Sequence, residues 1–175
     1  MSRSVDRRTI LSVATGGLVG LGAVARALGA EDKEDKNKKD AEASFVGTWT
    51  YRSFLNNPDI SVDFNKLEFA RATIVIDKAP FGVLRGKLSF DDDYLALKGN
   101  VTYGNPFTAR FQGKGATAGT KGWIYDYLGY LIPAWPDGVD QRPAIVGTVI
   151  RTVAHSEGKA PAGVVASFIA VKQDK

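Results

Sequence analysis

From residue 45 onward, hydrophobic and polar residues alternate with a period of two and not with the 3.6-residue period of a helix. The stretch from 82 to 90, GVLRGKLSF, is the clearest case, with Leu84, Leu88 and Phe90 on one face and Arg85 and Lys87 on the other. Such alternation is typical of strands that bury one face and expose the other. The pattern predicts eight strands, over residues 45–53, 67–76, 82–90, 94–103, 107–115, 122–132, 144–155 and 163–172.

Turn-forming clusters separate these segments, among them 55–59, 91–93 and 104–106, and the longest connection is PAWPDGVDQRP at 133–143. Eight strands joined mostly by short loops predict an all-β domain folded as an up-and-down antiparallel barrel, because closure removes exposed sheet edges. A β-sandwich is the alternative. Glycines inside the strands suit the curvature of a small barrel; they are Gly86, Gly99, Gly113, Gly129 and Gly147.

The first 44 residues divide into two segments of different composition. Residues 1–30 begin with a basic stretch, continue with an apolar run from 9 to 25 and end in small residues, which predicts a cleaved export signal. The apolar run is shorter than the roughly 20 residues of a membrane span, so no stable span is expected. Residues 31–44 are nearly all charged or polar and predict a disordered linker, which leaves residues 45–175 for the barrel.

The basic stretch resembles the twin-arginine export motif. Arg7 and Arg8 are followed by Thr9 and then by two apolar residues, Ile10 and Leu11, while Asp6 departs from the motif. The resemblance implies a bacterial or archaeal protein that folds before export, with the twin-arginine machinery as a partner and a periplasmic or extracellular location. A general secretory signal and an uncleaved anchor are the alternatives.

Composition excludes several kinds of site. The chain has no cysteine and one histidine, His155, which excludes disulfides, thiolate metal sites and a multi-histidine metal site within one chain. Four arginines against one aspartate give the first thirty residues a charge of +3, which leaves +1 of the total of +4 for the rest. No clustered basic run is visible, so no nucleic-acid partner is expected.

An aromatic stretch, GWIYDYLGYLIPAWP at 122–136, holds five aromatic residues. Alternation places Trp123, Tyr125 and Tyr127 on one face of the sixth strand and Asp126 and Tyr130 on the other. Rings with polar tips suit a pocket for a flat or apolar ligand. Core packing combined with an oligomer contact is the alternative interpretation.

The remaining candidates for chemistry are few. His155 ends the seventh predicted strand on the same face as Arg151, so it is a candidate general base or haem ligand, or a strand end without chemistry. Asp126, if buried, needs a partner such as Arg151 or a tyrosine hydroxyl. The run Asp91 to Asp93 is interpreted as a solvated turn and not as a calcium site, so no metal site is predicted.

The opening strand carries a resemblance to a known superfamily. Gly47, Thr48 and Trp49 resemble the first strand of calycins, which include lipocalins and avidins. The resemblance implies a tryptophan at the base of the barrel with a late-strand arginine packed across it, a part for which Arg151 or Arg142 is expected. A haem ligand at His155 would correspond to the calycins called nitrobindins. The biotin-contacting pattern of avidins is absent, so no ligand or cofactor is carried over.

Together these observations predict an exported, soluble, calycin-like barrel that binds a small apolar or aromatic ligand in its interior. The expected ligand-binding residues are Trp49, Tyr125, Tyr127, Trp135, Arg151 and His155. One alternative is a cofactor-free cyclase or isomerase of the allene oxide cyclase or dirigent type, with Asp126, His155 or a tyrosine as the acid–base group. Another is a structural module whose aromatic strand forms the contact of a homo-oligomer.

Overall fold

The structure, a computed structural model, describes residues 35, 36, 38–40, 42–77 and 80–174. The chain divides into two units, Met1–Asp35 and Lys36–Lys175, and the second contains every strand. The strands are β1 Gly47–Leu55, β2 Glu68–Ile76, β3 Val83–Phe90, β4 Asp93–Thr102, β5 Thr108–Gly115, β6 Ile124–Ile132, β7 Ala144–Arg151 and β8 Val165–Lys172. Short 3-10 helices lie in the connections, at Phe64–Leu67, Pro80–Gly82 and Ala118–Thr120.

The eight strands form one closed sheet. Each strand pairs antiparallel with the next along the chain, and β1 pairs with β8. The predicted all-β, up-and-down antiparallel barrel is therefore confirmed, and the sandwich alternative is excluded because a single sheet closes on itself. The seventh strand is shorter than predicted: β7 ends at Arg151, and His155 forms an isolated bridge with Ala160 in the following connection.

Alternate residues of every strand point inward and fill the barrel. Midway along the axis four buried aromatic rings are in contact: the rings of Phe111 and Tyr127 stack with centroids 4.7 Å apart, and Tyr51 lies 5.5 Å from Phe168. Gly129 makes room for them, since a Cβ there would lie 2.6 Å from Ile145 Cγ2 and 3.1 Å from the Phe168 ring. The middle of the barrel is consequently a packed core.

One end of the barrel, where β1 begins and β8 ends, is closed by Phe45 and Trp49, and we call it the closed end. Both side chains are buried, and the Trp49 indole Nε1 donates to the Phe45 carbonyl at 3.0 Å. Lys172 lies opposite Trp49 in the β1–β8 register; its ammonium is 5.2 Å from the indole centroid and donates to the Ser44 carbonyl at 3.0 Å. A late-strand cation thus packs across Trp49, as cation–π attraction favours.

That cation is not the one expected from the calycin resemblance. Arg151 lies at the opposite end of the barrel, over the rings of Phe69 and Tyr125, and Arg142 pairs with Asp174. The expectation that Arg151 or Arg142 covers Trp49 is therefore wrong. Register is the reason, because only Lys172 stands directly opposite Trp49 on the neighbouring strand.

The predicted export signal, residues 1–30, lies outside the described residues. The predicted linker, 31–44, is described in part: residues 35, 36, 38–40 and 42–44 are helical, as is Phe45. The Glu42 carboxylate accepts hydrogen bonds from the Gly82 amide and, at 2.7 Å, from the Tyr103 hydroxyl. Among the described residues, no helix combines the length and apolar character that crossing a membrane requires.

Candidate binding site at the His155 end of the barrel

Three of the six expected ligand-binding residues meet at the end opposite the closed end, which we call the His155 end. Tyr125 lies at the start of β6, directly opposite Arg151 at the end of β7, because these two strands pair antiparallel. The connection after β7 then turns back and brings His155 against Tyr125.

The other three expected residues lie elsewhere. Tyr127 is two residues further along β6, in the packed middle of the barrel, and Trp49 is in the closed end. Trp135 is 62% exposed in the β6–β7 connection, on the closed-end side. These residues do not form one pocket.

A hydrogen-bond chain joins the three residues that meet. The Arg151 Nε donates to the Tyr125 hydroxyl at 3.3 Å, and that hydroxyl lies 2.7 Å from His155 Nε2. Two neutral tautomers of His155 satisfy these contacts, because a hydroxyl has one hydrogen and two lone pairs. In one, the Tyr125 hydroxyl donates to Nε2 and Nδ1 donates to the Ser156 hydroxyl 2.9 Å away; in the other, Nε2 donates to the Tyr125 oxygen and Nδ1 accepts from Ser156.

Burial and charge both favour this neutral histidine. Partial burial lowers the pKa of His155 below its ordinary value of 6.5, and the neighbouring positive charge of Arg151 lowers the pKa further. The side chain is therefore predominantly neutral at pH 7.

Aromatic rings surround this chain. The Trp123 ring stacks on His155 with centroids 4.1 Å apart and planes 20° apart, and Phe90 stacks on the other side of Trp123 at 5.8 Å. The Arg151 guanidinium lies 5.0 Å from the centroid of Phe69. We call Phe69, Phe90, Trp123, Tyr125, Arg151 and His155 the His155 cluster.

Sequence reasoning missed three members of the His155 cluster. Trp123 was placed on the same face as Tyr125, so alternation along the sixth strand held the signal for it. Phe69 and Phe90 lie on β2 and β3, far from β6 and β7 in sequence, and only closure of the barrel brings them near Arg151 and Trp123.

Arg151 has no acidic partner in the described part of the chain. Its side chain donates to the Tyr125 hydroxyl and, through Nη1 at 3.1 Å, to the Pro161 carbonyl, and both acceptors are neutral. Arg151 as a whole residue is half-buried. A partly desolvated cation without a counter-charge favours an anionic group as an additional acceptor, through a charge-assisted hydrogen bond.

Phenol groups line the barrel below the His155 cluster. Burial raises the pKa of Tyr127 well above its ordinary value, and the neighbouring Tyr51 and Tyr125 raise it further. The Tyr127 hydroxyl forms no hydrogen bond with any described residue. Every side-chain oxygen that is fully enclosed in the described residues does have a hydrogen-bond partner. The Tyr127 hydroxyl is therefore not fully enclosed, although the ring is packed in the middle of the barrel.

Two acidic candidates lie outside the His155 cluster. Asp126 points outward on β6 and is exposed, where its Oδ1 accepts from Gln112 Nε2 at 2.8 Å, so it needs no partner inside the barrel. At the start of β4, Asp93 accepts from the Thr117 hydroxyl at 2.5 Å. Within the described ranges, no three His, Asp or Glu side chains converge as a metal site.

The outer wall of the barrel has a groove of about 390 Å³, which we call the outer groove. It crosses β4 to β7 and is lined by Lys98, Arg110, Phe111, Gln112, Asp126, Tyr127, Leu128, Thr148 and Ile150. The outer groove is separated from the His155 cluster by the barrel wall, because Asp126, Leu128 and Ile150 are on the outward faces of their strands.

The chain was compared with models of protein families, with curated proteins and with solved structures, and none of them matches it.

Proposed function

We propose that this protein binds a small, flat ligand that carries an acidic group, at the His155 cluster. The observation that carries the proposal is the half-buried Arg151, whose guanidinium lies over the rings of Phe69 and Tyr125 and has no carboxylate partner in the described part of the chain. An acidic group on the ligand supplies that missing charge.

The aromatic members of the His155 cluster suit the rest of such a ligand. Half-buried rings of Phe69, Phe90 and Trp123 offer apolar faces, while Tyr125 and His155 offer fixed polar groups. A few polar groups that orient a ligand within an aromatic pocket are the usual design of small-molecule sites. Because the four central rings fill the middle of the barrel, the ligand sits at the His155 end and does not pass through the axis.

The proposal also includes a cellular location for the protein and a structural relationship to calycins. The Arg7–Arg8 motif supports export by the twin-arginine pathway to the periplasm or the outside of a bacterial cell. The Gly47–Trp49 opening strand, the strand order and the cation over Trp49 support a calycin-like relationship.

The fluorescence of Trp123 tests the binding proposal. Trp49 is enclosed at the closed end and Trp135 is removed by Trp135→Phe, so in that variant a change on adding ligand reports Trp123. We expect a saturable change in this emission with benzoate, which has no indole fluorescence of its own, and a much smaller effect of the neutral benzamide. Arg151→Gln should weaken benzoate binding at least about tenfold, since hydrogen bonds to charged groups contribute about 1.5–3 kcal/mol.

The control for this titration is Arg85→Gln, which removes an exposed cation from the outer wall. Native mass spectrometry of protein from its own exported fraction provides an independent check, because a retained ligand adds mass that denaturation removes. Binding that is equal for the acid and the amide, or unaffected by Arg151→Gln, would contradict the proposed role of the guanidinium.

A second function is favoured by the same hydrogen-bond chain. A neutral histidine bonded to a tyrosine hydroxyl is suited to proton transfer, so a cofactor-free isomerase or cyclase is the alternative. In that case Tyr125→Phe should abolish turnover and leave binding of the ligand largely intact. If the protein only binds its ligand, neither the parent protein nor Tyr125→Phe should show turnover.

A third function, a structural homo-oligomer, is favoured by the outer face of β6 to β8. Tyr130, Ile150, Val165 and Ile169 project outward there, each with 40–45% of its surface exposed. The mass of the native protein at several concentrations separates this alternative from a monomeric binding protein.

A further inference from the structure

Five exposed cations share the outer wall of β3, β4 and β5. They are Arg85, Lys87, Lys98, Arg110 and Lys114, and we call them the basic face. None of the five makes an ion pair or a side-chain hydrogen bond with any described residue. By contrast, Arg71 on β2 pairs with Glu68 at 2.9 Å.

Strand register places these cations side by side. Arg85 stands directly opposite Lys98 in the β3–β4 pairing, and Lys87 and Lys114 are the two cross-strand neighbours of Ala96. Neighbouring strands are only about 4.8 Å apart. Like charges that face each other across a sheet are destabilising, so an external anion would stabilise this arrangement.

Carboxylates occur only at the borders of the basic face. The outward positions of β3 to β5 hold no Asp or Glu; the bordering acidic residues are Asp77, which follows β2 and pairs through its backbone with Arg85, and Asp126 on β6, which accepts from Gln112. The positive charge of the basic face is therefore not balanced within the outer surface that these three strands form.

The outer groove begins at the basic face, since Lys98 and Arg110 line both. Further along it, Gln112, Asp126 and Thr148 supply an amide, a carboxylate and a hydroxyl, and Leu128 supplies apolar surface. Neutral polar rings with many hydroxyls fit such a lining, because hydroxyls donate to the carboxylate and accept from the amide.

We propose that the basic face and the outer groove together bind an acidic polysaccharide. The anionic substituents of the chain pair with the cations, and the hydroxyls of a sugar ring bind the polar side chains of the outer groove. This surface is on the outer wall, so the proposal stands independently of ligand binding at the His155 cluster.

Two other anionic partners fit less well. Nucleic acid would place phosphates beside the Asp126 carboxylate, and the rings of Phe111 and Tyr127, which adjoin the outer groove, are buried and unavailable for stacking on bases. An anionic membrane is a broad surface, which cannot follow the sheet into a groove. An extended chain of sugar rings can occupy the outer groove and the basic face together.

The test measures binding of defined hexasaccharides of heparin and of polygalacturonate to the purified full-length protein by calorimetry, at low and at physiological salt. We expect saturable binding that weakens with salt. The triple variant Arg85→Gln, Lys98→Gln, Arg110→Gln should bind at least about tenfold more weakly, because three charge contacts are lost. The matched triple variant Lys66→Gln, Lys121→Gln, Lys159→Gln carries the same charge change on exposed loop residues and should bind like the parent.

Additional binding measurements distinguish an acidic polysaccharide from other anionic partners. Gln112→Ala with Thr148→Ala should weaken hexasaccharide binding but leave inorganic polyphosphate binding unchanged. Tighter binding to single-stranded DNA or to phosphatidylglycerol vesicles than to either hexasaccharide would overturn the proposal. Equal losses in the two triple variants would also overturn it, since net charge alone would then explain binding. All substituted side chains are at least partly exposed, and unchanged circular dichroism confirms that each variant folds.

Discussion

At the scale of single residues, the environment of His155 decides which chemistry this end of the barrel can support. The imidazole is held on three sides, by the Trp123 ring, the Tyr125 hydroxyl and the Ser156 hydroxyl. Both ring nitrogens have hydroxyl partners. Arg151, whose acceptors in the described residues are both neutral, is therefore the residue with an unmet charge in the His155 cluster.

Replacing Arg151 should change the titration of the histidine. Arg151→Gln removes the positive charge that contributes to the lowered pKa of His155, so the pKa should rise toward 6.5. The chain has one histidine, and its Cε1 proton gives one resolved signal in a nuclear magnetic resonance titration. Arg85→Gln, on the outer wall, should leave the titration unchanged. A pKa that stays fixed or falls in Arg151→Gln would show that the charge of Arg151 does not act on His155.

At the scale of elements, close approach between β6 and β7 depends on glycine. A Cβ at Gly147 would lie 1.9 Å from the Leu128 carbonyl oxygen and 2.8 Å from the Gly129 Cα, and both of these are backbone atoms that cannot rotate away. Gly147 and Gly129 are directly opposite each other in the register. This paired glycine position lets the wall bend sharply between Tyr125 and the closed end, as small barrels require.

Gly147→Ala should therefore destabilise the barrel strongly. The added methyl forces β6 and β7 apart, and we expect a loss of about 2–4 kcal/mol in the free energy of unfolding. Gly104→Ala is the matched control, because its nearest backbone neighbour would be 3.6 Å away, and its effect should stay within about 0.5 kcal/mol. Urea denaturation followed by fluorescence measures both values. Equal free energies of unfolding for the two variants would contradict this prediction, because β7 would then accommodate the added methyl group without loss of stability.

At the scale of the whole molecule, the two ends of the barrel differ in what they bury. The closed end buries Phe45 and Trp49 beneath Lys172, whereas the His155 end leaves its rings half-buried around polar groups. Between them the packed middle separates the ends. This division confines the proposed ligand site to one end of the barrel and leaves the outer wall as a separate surface.

The free energy of unfolding should depend on pH because of the partly buried side chain of His155. The pKa of His155 is lower in the folded protein than in the unfolded chain, so between these two values only the unfolded chain takes up the proton. The contribution of His155 is fully present above about pH 6.5 and is lost as the pH falls through that value toward the folded pKa.

The free energy of unfolding of the parent should thus fall relative to that of His155→Gln as the pH is lowered from about 7.5 to about 5.5. Urea denaturation at closely spaced pH values measures this difference. Curves that stay parallel through this range would show that folding leaves the pKa of His155 unchanged.

The closed-barrel architecture could be predicted in detail from the sequence, because strand number and spacing are local properties. The signals for a strand, period-two alternation and flanking turn residues, lie within each segment of eight to twelve residues. Each predicted strand therefore overlaps one of β1 to β8. The strand ends were predicted less well where the pattern continued past the sheet, as in the case of His155, whose segment bridges to Ala160 instead of extending β7.

The candidate site could be predicted only in part. Alternation grouped Trp123 with Tyr125 and Arg151 with His155; Trp123 does contact Tyr125, and Arg151 and His155 both bind the Tyr125 hydroxyl. Alternation also grouped Tyr127 with Tyr125, although Tyr127 is enclosed in the middle, and the expected set included the loop residue Trp135, which is exposed at the far end. A period along one strand states which residues share a face, but it carries no information on depth along the barrel axis.

The sequence by itself therefore determined eight strands, their two faces and the absence of cysteine chemistry, since all of these depend on residue type and local spacing. The tertiary structure decided which face is inside, which cation covers Trp49 and which rings surround Arg151. It also decided the basic face, which no run of residues reveals, because Arg85, Lys98 and Arg110 become neighbours only through the register of three strands. In the net charge of residues 31–175, the positive charges of the basic face are nearly cancelled by acidic residues elsewhere in the sequence. In the folded barrel, the strands hold the positive charges of the basic face together, away from most of those acidic residues.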